Sequence, residues 1–129
     1  VFGGEQKRPN IHIKDVTDLY VKSLQWDESL IDGKTYNAGY ENHTVQQIAE
    51  IVRDVVGGSV EIEVTSTDDH RSYHISSERI KRELGFVPRH SIEDAVSDLV
   101  ARFRDGQIPD PFTDKHYYNV DWLQALDLP

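Results

Sequence analysis

Along the chain, apolar residues switch repeatedly between a spacing of two and the three-four spacing of a helix, and each switch predicts an element. Ile11 and Ile13 sit two apart, which predicts a short extended segment with both on one face and Asn10 and His12 on the other. Asp15 then reads as the N-cap of a helix carrying Val16, Leu19, Tyr20 and Leu24. Lys34 to Ala38 reads as a short strand between Gly33 and Gly39. Thr44 and Gln47 form a capping-box pair ahead of one apolar stripe, Ile48, Ile51, Val52 and Val55, which Gly57 and Gly58 close. Val60 to Val64 alternates strictly and predicts a half-buried strand, and Tyr73 to Ile75 a further extended piece.

Ser76 or Ser77 is expected to cap a helix bearing Ile80 and Leu84 that stops at Gly85. Ser91, with Asp94 at the third position, opens the last main helix, whose stripe is Ile92, Ala95, Val96, Leu99 and Phe103. Gly106 ends it, and Pro109 and Pro111 bar its continuation. From Asp110 the chain becomes an aromatic-rich arm with Phe112, Tyr117, Tyr118 and Trp122, and a short helix is expected near Val120 to Leu126. The order of strands and helices points to an α/β fold, with residues 1–109 as one domain and 110–129 as the arm. The stripes of the capping-box helix and of the last two helices are expected to share one core.

A chain of 129 residues suits one compact domain that buries about two-thirds of its unfolded surface without staples. It has no cysteine, which excludes disulfides and thiolate metal sites. It opens with Val1 and contains no methionine, which reads as a piece of a longer protein. The net charge of −9 argues against nucleic acid or an anionic membrane as a partner. No apolar run approaches the roughly 20 residues of a membrane span, and a cytoplasmic location is expected.

Candidate chemistry is sparse. No G-x-G-x-x-G loop is present, because Gly57-Gly58 closes a helix instead of opening one. Six histidines are dispersed, and His70 and His74, four apart, fall in a loop and an extended piece, so no metal site is expected. Two arginines stand out. Arg8 is held extended by Pro9 at the entrance of the opening unit, and Arg71 lies in the polar loop before Tyr73. Arg71 could simply pair with Asp68 or Asp69 and fix the loop. Alternatively, Arg8 and Arg71 converge on a diphosphate, whose oxygens suit guanidinium forks.

These residues carry a resemblance. GGEQKRPNIHIKDVTDLYVKSL resembles the arginine, I/V-H-V strand and helix-starting aspartate of the extended short-chain dehydrogenase/reductases. Lys34-Thr-Tyr-Asn-Ala-Gly39 is similar to their late Y-N-x-G strand, and TVQQIAEIV to the helix after it. DDHRSYHISSERIKRELGFVPRHSIEDAV is similar to their D-x-R-x-Y…ELGF-x-P…S-x-E-D-x-V region, so that the likeness runs in order over residues 3–105. It implies the carboxyl-terminal, substrate-side portion of an NAD-dependent nucleotide-sugar epimerase or dehydratase, an α/β portion lacking most of the dinucleotide-binding Rossmann domain.

By the same resemblance Arg8, Asn10 and Arg71 bind the nucleotide-sugar substrate: Arg8 and Arg71 at the diphosphate, Asn10 near the nucleotide. His12 and Asp15 take structural roles. In one common variant of the family the second arginine stands earlier, near Ser66. The implied partners are a nucleotide-sugar and the missing dinucleotide-binding domain, with homodimers formed through helices of that domain. NAD is implied as a cofactor of the absent domain, with none on this chain. The family's Tyr-x-x-x-Lys pair is absent, since no tyrosine here has a lysine four residues later, and the isolated chain is expected to be inactive. The alternative is a non-catalytic binding or interaction module derived from that domain.

Overall fold

The computed structural model describes residues 1–69 and 71–126. The described residues fall into two compact units, one of residues 1–69 and 71–97 and one of residues 98–126. In the first, β1 (Lys7–Asn10) leads into α1 (Ile13–Ser23) and the single-turn α2 (Glu28–Ile31). β2 (Glu41–Thr44) runs directly into α3 (Val45–Val56), followed by α4 (Glu78–Leu84) and the start of α5 (Ile92–Arg104). The two strands pair antiparallel, with Arg8 opposite His43 and Asn10 opposite Glu41.

Several helix ends follow the sequence, although Ser77, the N-cap of α4, makes no side-chain capping bond. Thr44 and Gln47 form the capping box, the Thr44 hydroxyl accepting from the Gln47 amide at 3.1 Å and the Gln47 carbonyl oxygen from the Thr44 amide at 2.9 Å. Ser91 and Asp94 make the same reciprocal pair, at 3.2 and 2.8 Å. Gly85 ends α4 in the left-handed region, φ 66°, where a side chain would be strained. In the second unit the expected short helix forms as α6 (Asn119–Ala125), preceded by a 3-10 turn, Lys115–Tyr117, that Asp114 caps.

Two predicted strands do not form, and the predicted extended piece at Tyr73–Ile75 joins no ladder. Lys34–Ala38 is extended but unladdered; Arg79 Nη1 donates to the Thr35 carbonyl, and no described strand lies beside it to exchange backbone bonds. Val60–Val64 is tied only at its end, where the Val1 amino group donates to the Glu63 carbonyl and Phe2 bridges in parallel to Thr65. Tyr73–Ile75 makes one backbone bond, from the Tyr73 amide to the Lys7 carbonyl at 3.0 Å, and Asn42 both donates to the Ile75 carbonyl and accepts its amide, each at 3.0 Å. The opening alternation is corrected as well. β1 ends at Asn10, and His12, not Asp15, is the N-cap of α1, its Nδ1 accepting from the Lys14 amide at 3.0 Å. Ile13 is therefore exposed and His12 buried, the reverse of the expected alternation.

Among the described residues, Ile80, Phe86, Pro88 and Val96 are buried apolar side chains. Val52, Leu99 and Phe103, expected in a common core, are exposed, and Ile48, Ile51 and Val55 are half-buried. Buried polar groups carry much of the order instead. Asp15, displaced from the cap, is 2% exposed and projects from the first turn of α1 to the segment before α5. Its Oδ2 accepts from the backbone amides of Arg89 and His90 at 3.0 and 2.9 Å, and its Oδ1 lies 2.9 Å from His90 Nδ1. The His12 and His90 rings adjoin, with centroids 4.9 Å apart.

Burial pushes the Asp15 carboxyl up, but the bonds from His90 and Arg89 together outweigh it and hold it below its ordinary value. A depressed carboxyl stabilises the fold above about pH 4 and loses that contribution as pH falls through its folded value. Asp15→Ala is expected to cost about 3 kcal/mol at pH 7, because two backbone donors lose their acceptor and His90 its partner. Urea unfolding at pH 7 and pH 3 checks this. The wild type should approach the variant's stability at the acid end.

Candidate anion-binding site

The site forms where the loop after residue 65 lies along β1. Proline at position 9 has no amide to give a neighbouring strand, and the backbone of Lys7 is engaged by the loop: its amide donates to Ser72 Oγ at 2.9 Å, and its carbonyl accepts from the Tyr73 amide at 3.0 Å. This strip places residues 69 and 71 beside Arg8. Arg8 Nη1 donates to the carbonyls of Lys7 and Arg71, at 3.0 and 2.6 Å, and its guanidinium carbon lies 5.5 Å from the centre of the Tyr73 ring. The side chain is thereby held against the loop it faces.

Arg8 and Arg71 meet on one carboxylate. Arg71 grips Asp69 with two prongs, Nε to Oδ1 at 2.8 Å and Nη2 to Oδ2 at 2.9 Å, while its own amide donates to Oδ1 at 3.1 Å. Arg8 Nη2 stands 3.6 Å from Asp69 Oδ2, an ion pair beyond hydrogen-bond length. The side-chain bond from Arg71 is the largest influence on the acid, followed by its amide, and with both guanidinium charges they hold the Asp69 carboxyl far below the usual range. Asp69 is therefore an anion at all ordinary pH values, and Arg71 is held more firmly protonated by the same bond. Such a pairing serves a loop brace and an anion cradle alike.

The support beneath this triad is not evident in the sequence. Gln6 is buried; its Oε1 accepts from the Gly4 amide at 2.7 Å, and its Nε2 donates to the carbonyls of Asp69 and Phe2, at 3.0 and 3.3 Å. The Asp69 amide in turn donates to Thr67 Oγ1 at 3.1 Å. The backbone of Asp69 is thus pinned on both sides while its carboxylate faces the arginines. Gly3 has a φ of 76°, and a Cβ there would sit 2.7 Å from Thr67 Cγ2, so a glycine is needed for this close packing.

Asn10 is not drawn into the triad. Its amide donates to the Arg8 carbonyl at 2.7 Å, and it lines a separate cavity of about 120 Å³ together with His12, Tyr40, Glu41 and His90. A larger cavity of about 300 Å³ lies between Tyr40, Asn42, His74 and Lys81. No group of His, Asp and Glu suited to a metal occurs among the described residues, and His70 lies outside them. Among the described residues no helix is long and apolar enough to cross a membrane.

No family model matches the chain. It is 33% identical over 102 residues to a UDP-glucose 4-epimerase of Corynebacterium glutamicum, an alignment covering 71% of this chain and 30% of that protein. Among solved structures it superposes on a UDP-glucose 4-epimerase of Thermotoga maritima with bound UDP-glucose, TM-score 0.70 and 22% identity, over 83% of this chain and 35% of that one. It also superposes on RMD of Pseudomonas aeruginosa complexed with NADPH, TM-score 0.66 and 19% identity, over 81% of this chain and 34% of that one. The chain spans about a third of the length of these relatives.

Removing the buried amide of Gln6 should loosen both ends of the loop. Gln6→Ala is expected to lower stability by about 1–3 kcal/mol, the cost of leaving buried backbone groups unpaired. Amide hydrogen exchange would show it most directly: the Gly4 amide, whose acceptor is the Gln6 side chain, should lose protection more than the amides of α3.

Proposed function

We propose, from the premise that this chain is an NAD-dependent epimerase-like segment of the extended short-chain dehydrogenase/reductase fold, that it supplies the nucleotide-sugar side of such an enzyme. The reading is supported above all by the shared carboxylate: two guanidinium groups from separate segments, Arg8 and Arg71, converge on the anionic Asp69. Asp69 balances the two charges, and a sugar nucleotide brings a diphosphate of suitable charge and span for the same donors. The relatedness to a UDP-glucose 4-epimerase over most of this chain points to the same ligand class.

The residues divide the work unequally. Arg8 is the more sheltered of the two arginines and is steered by Tyr73 and by the carbonyls of Lys7 and Arg71, so it is the fixed anchor. Arg71, 73% exposed at its side chain, is the more accessible partner for the second phosphate. Asn10 acts through Arg8, bonding the carbonyl beneath it, and stands within reach of the base or ribose at the neighbouring cavity. Hydride transfer, proton transfer and NAD binding belong to the remainder of the enzyme; these 129 residues contain neither a glycine-rich dinucleotide fingerprint nor a Tyr-x-x-x-Lys pair. The isolated chain is therefore a binding segment without turnover, and the acidic, cysteine-free composition suits a cytoplasmic enzyme.

Calorimetric titration with UDP-glucose tests this. Arg8→Ala should weaken binding by about 1.5–3 kcal/mol, the range for a charge-assisted contact, and Arg8→Lys should recover only part of it. An unchanged dissociation constant in Arg8→Ala would contradict the assignment. NAD titrated into the same chain is expected to give no measurable heat of binding; a low-micromolar constant would place cofactor contacts on this segment.

A further inference from the structure

We propose that His43 makes anion binding at Arg8 proton-linked: as a diphosphate settles on Arg8, the His43 ring takes up a proton from solution. The inference rests on the nucleotide-sugar reading and assigns to that site a residue of the neighbouring strand. Its basis is the register of the two-stranded sheet. Arg8 pairs with His43 and Asn10 with Glu41, and residues directly opposite in an antiparallel ladder project to the same face. Arg8 and His43 are thus nearest cross-strand neighbours, with Cα atoms about 4.5–5.5 Å apart. Lys7 alternates to the other face.

Opposed charges act on the imidazole. Glu41, two residues earlier on β2 and on the same face, has its Oε2 3.3 Å from His43 Nε2. Both atoms are buried, and neither has a hydrogen-bond partner among the described residues, so the contact is one of charge and not of directed bonding. The Glu41 carboxylate attracts a proton on the ring, and the Arg8 guanidinium across the ladder repels one. The other charged groups around the strand are engaged with one another. On α3, Glu50 accepts from Gln46, and Arg53 pairs with Asp54. Beyond Arg8, Asp69 pairs with Arg71 and approaches Arg8. A diphosphate brings two negative charges to Arg8 and weakens the repulsion that the ring feels. With Nε2 facing a carboxylate, the neutral ring keeps its hydrogen there. The proton gained goes to Nδ1, and the buffer supplies it. By linkage, the diphosphate then binds more tightly where the ring is already charged. His43 is a positioning residue, acting through the field at Arg8 without touching a phosphate.

Calorimetric titration of the 129-residue chain with UDP-glucose, in buffers of different ionisation enthalpy, counts the protons exchanged. At about pH 6.5, where histidine ordinarily titrates, the wild type should take up a fraction of a proton on binding. His43→Gln keeps a polar side chain that does not titrate, and it should take up none. UDP-glucose suits the test because its doubly esterified diphosphate does not itself titrate near neutral pH. Wild-type affinity should rise about threefold to fivefold between about pH 8 and pH 5.5, the upper range for an exposed charge contact, while that of His43→Gln stays flat. A second measurement needs no variant: in nitrogen-labelled wild type at the same pH, saturating UDP-glucose should move the His43 ring resonances towards those of an imidazolium. A histidine with a merely structural role would leave proton uptake and ring resonances unmoved. Equal proton uptake in the two proteins, no uptake in a wild type that binds, or His43 resonances that stay fixed overturns the proposal and leaves the nucleotide-sugar reading intact. A wild type that binds no UDP-glucose overturns both.

Discussion

A buried carboxylate, that of Asp15, ties the first unit together. It stands in the first turn of α1, yet its three contacts lie 74 and 75 residues further on, at Arg89 and His90. Few apolar side chains are fully buried here, so a charge with complete hydrogen bonding does what a larger core would otherwise do. Once α1 is joined to the start of α5, β1 is fixed just before it, because only Ile11 and His12 separate Asn10 from the helix. The position of Arg8 follows from that placement. Buried ionic contacts of this sort are geometrically strict: they fix a relationship between segments more sharply than interchangeable apolar contacts do.

The cluster of Arg8, Asp69 and Arg71 depends on a second, shallower version of the same principle. The loop bearing Asp69 and Arg71 joins no ladder; one backbone bond, from the Tyr73 amide to the Lys7 carbonyl, and side-chain bonds attach it, with Ser72 on Lys7, Asn42 on Ile75 and Gln6 on Asp69. The guanidinium of Arg71 is largely exposed and is held by the Asp69 carboxylate. Arg8, in contrast, projects from a paired strand.

Local signals in the sequence were legible where their physics is local. The capping boxes at Thr44 and Ser91 and the stop at Gly85 depend on residues within three or four positions, and all three are present. The strands at Lys34–Ala38 and Val60–Val64 were not legible, because a strand exists only through its neighbour, and alternation cannot say whether one is at hand. Val52 and Phe103 fail for the same reason: a stripe marks a face, not what covers it. Asp15 was misassigned because an aspartate before an apolar run is a good cap, and nothing nearby reveals a partner at His90. Within the site, Arg8 and Arg71 could be singled out from charge and placement, and Asp69 was one of two acids within reach of Arg71. The role of Gln6 left no trace, since a buried glutamine reads like any polar residue.

The most direct measurement is a crystal structure of the 129-residue chain with UDP-glucose bound. Phosphate oxygens are expected within about 2.7–3.2 Å of guanidinium nitrogens on both Arg8 and Arg71, the span of a charge-assisted hydrogen bond. A diphosphate seated elsewhere on the chain, with both arginines still gathered on Asp69, would contradict the assignment.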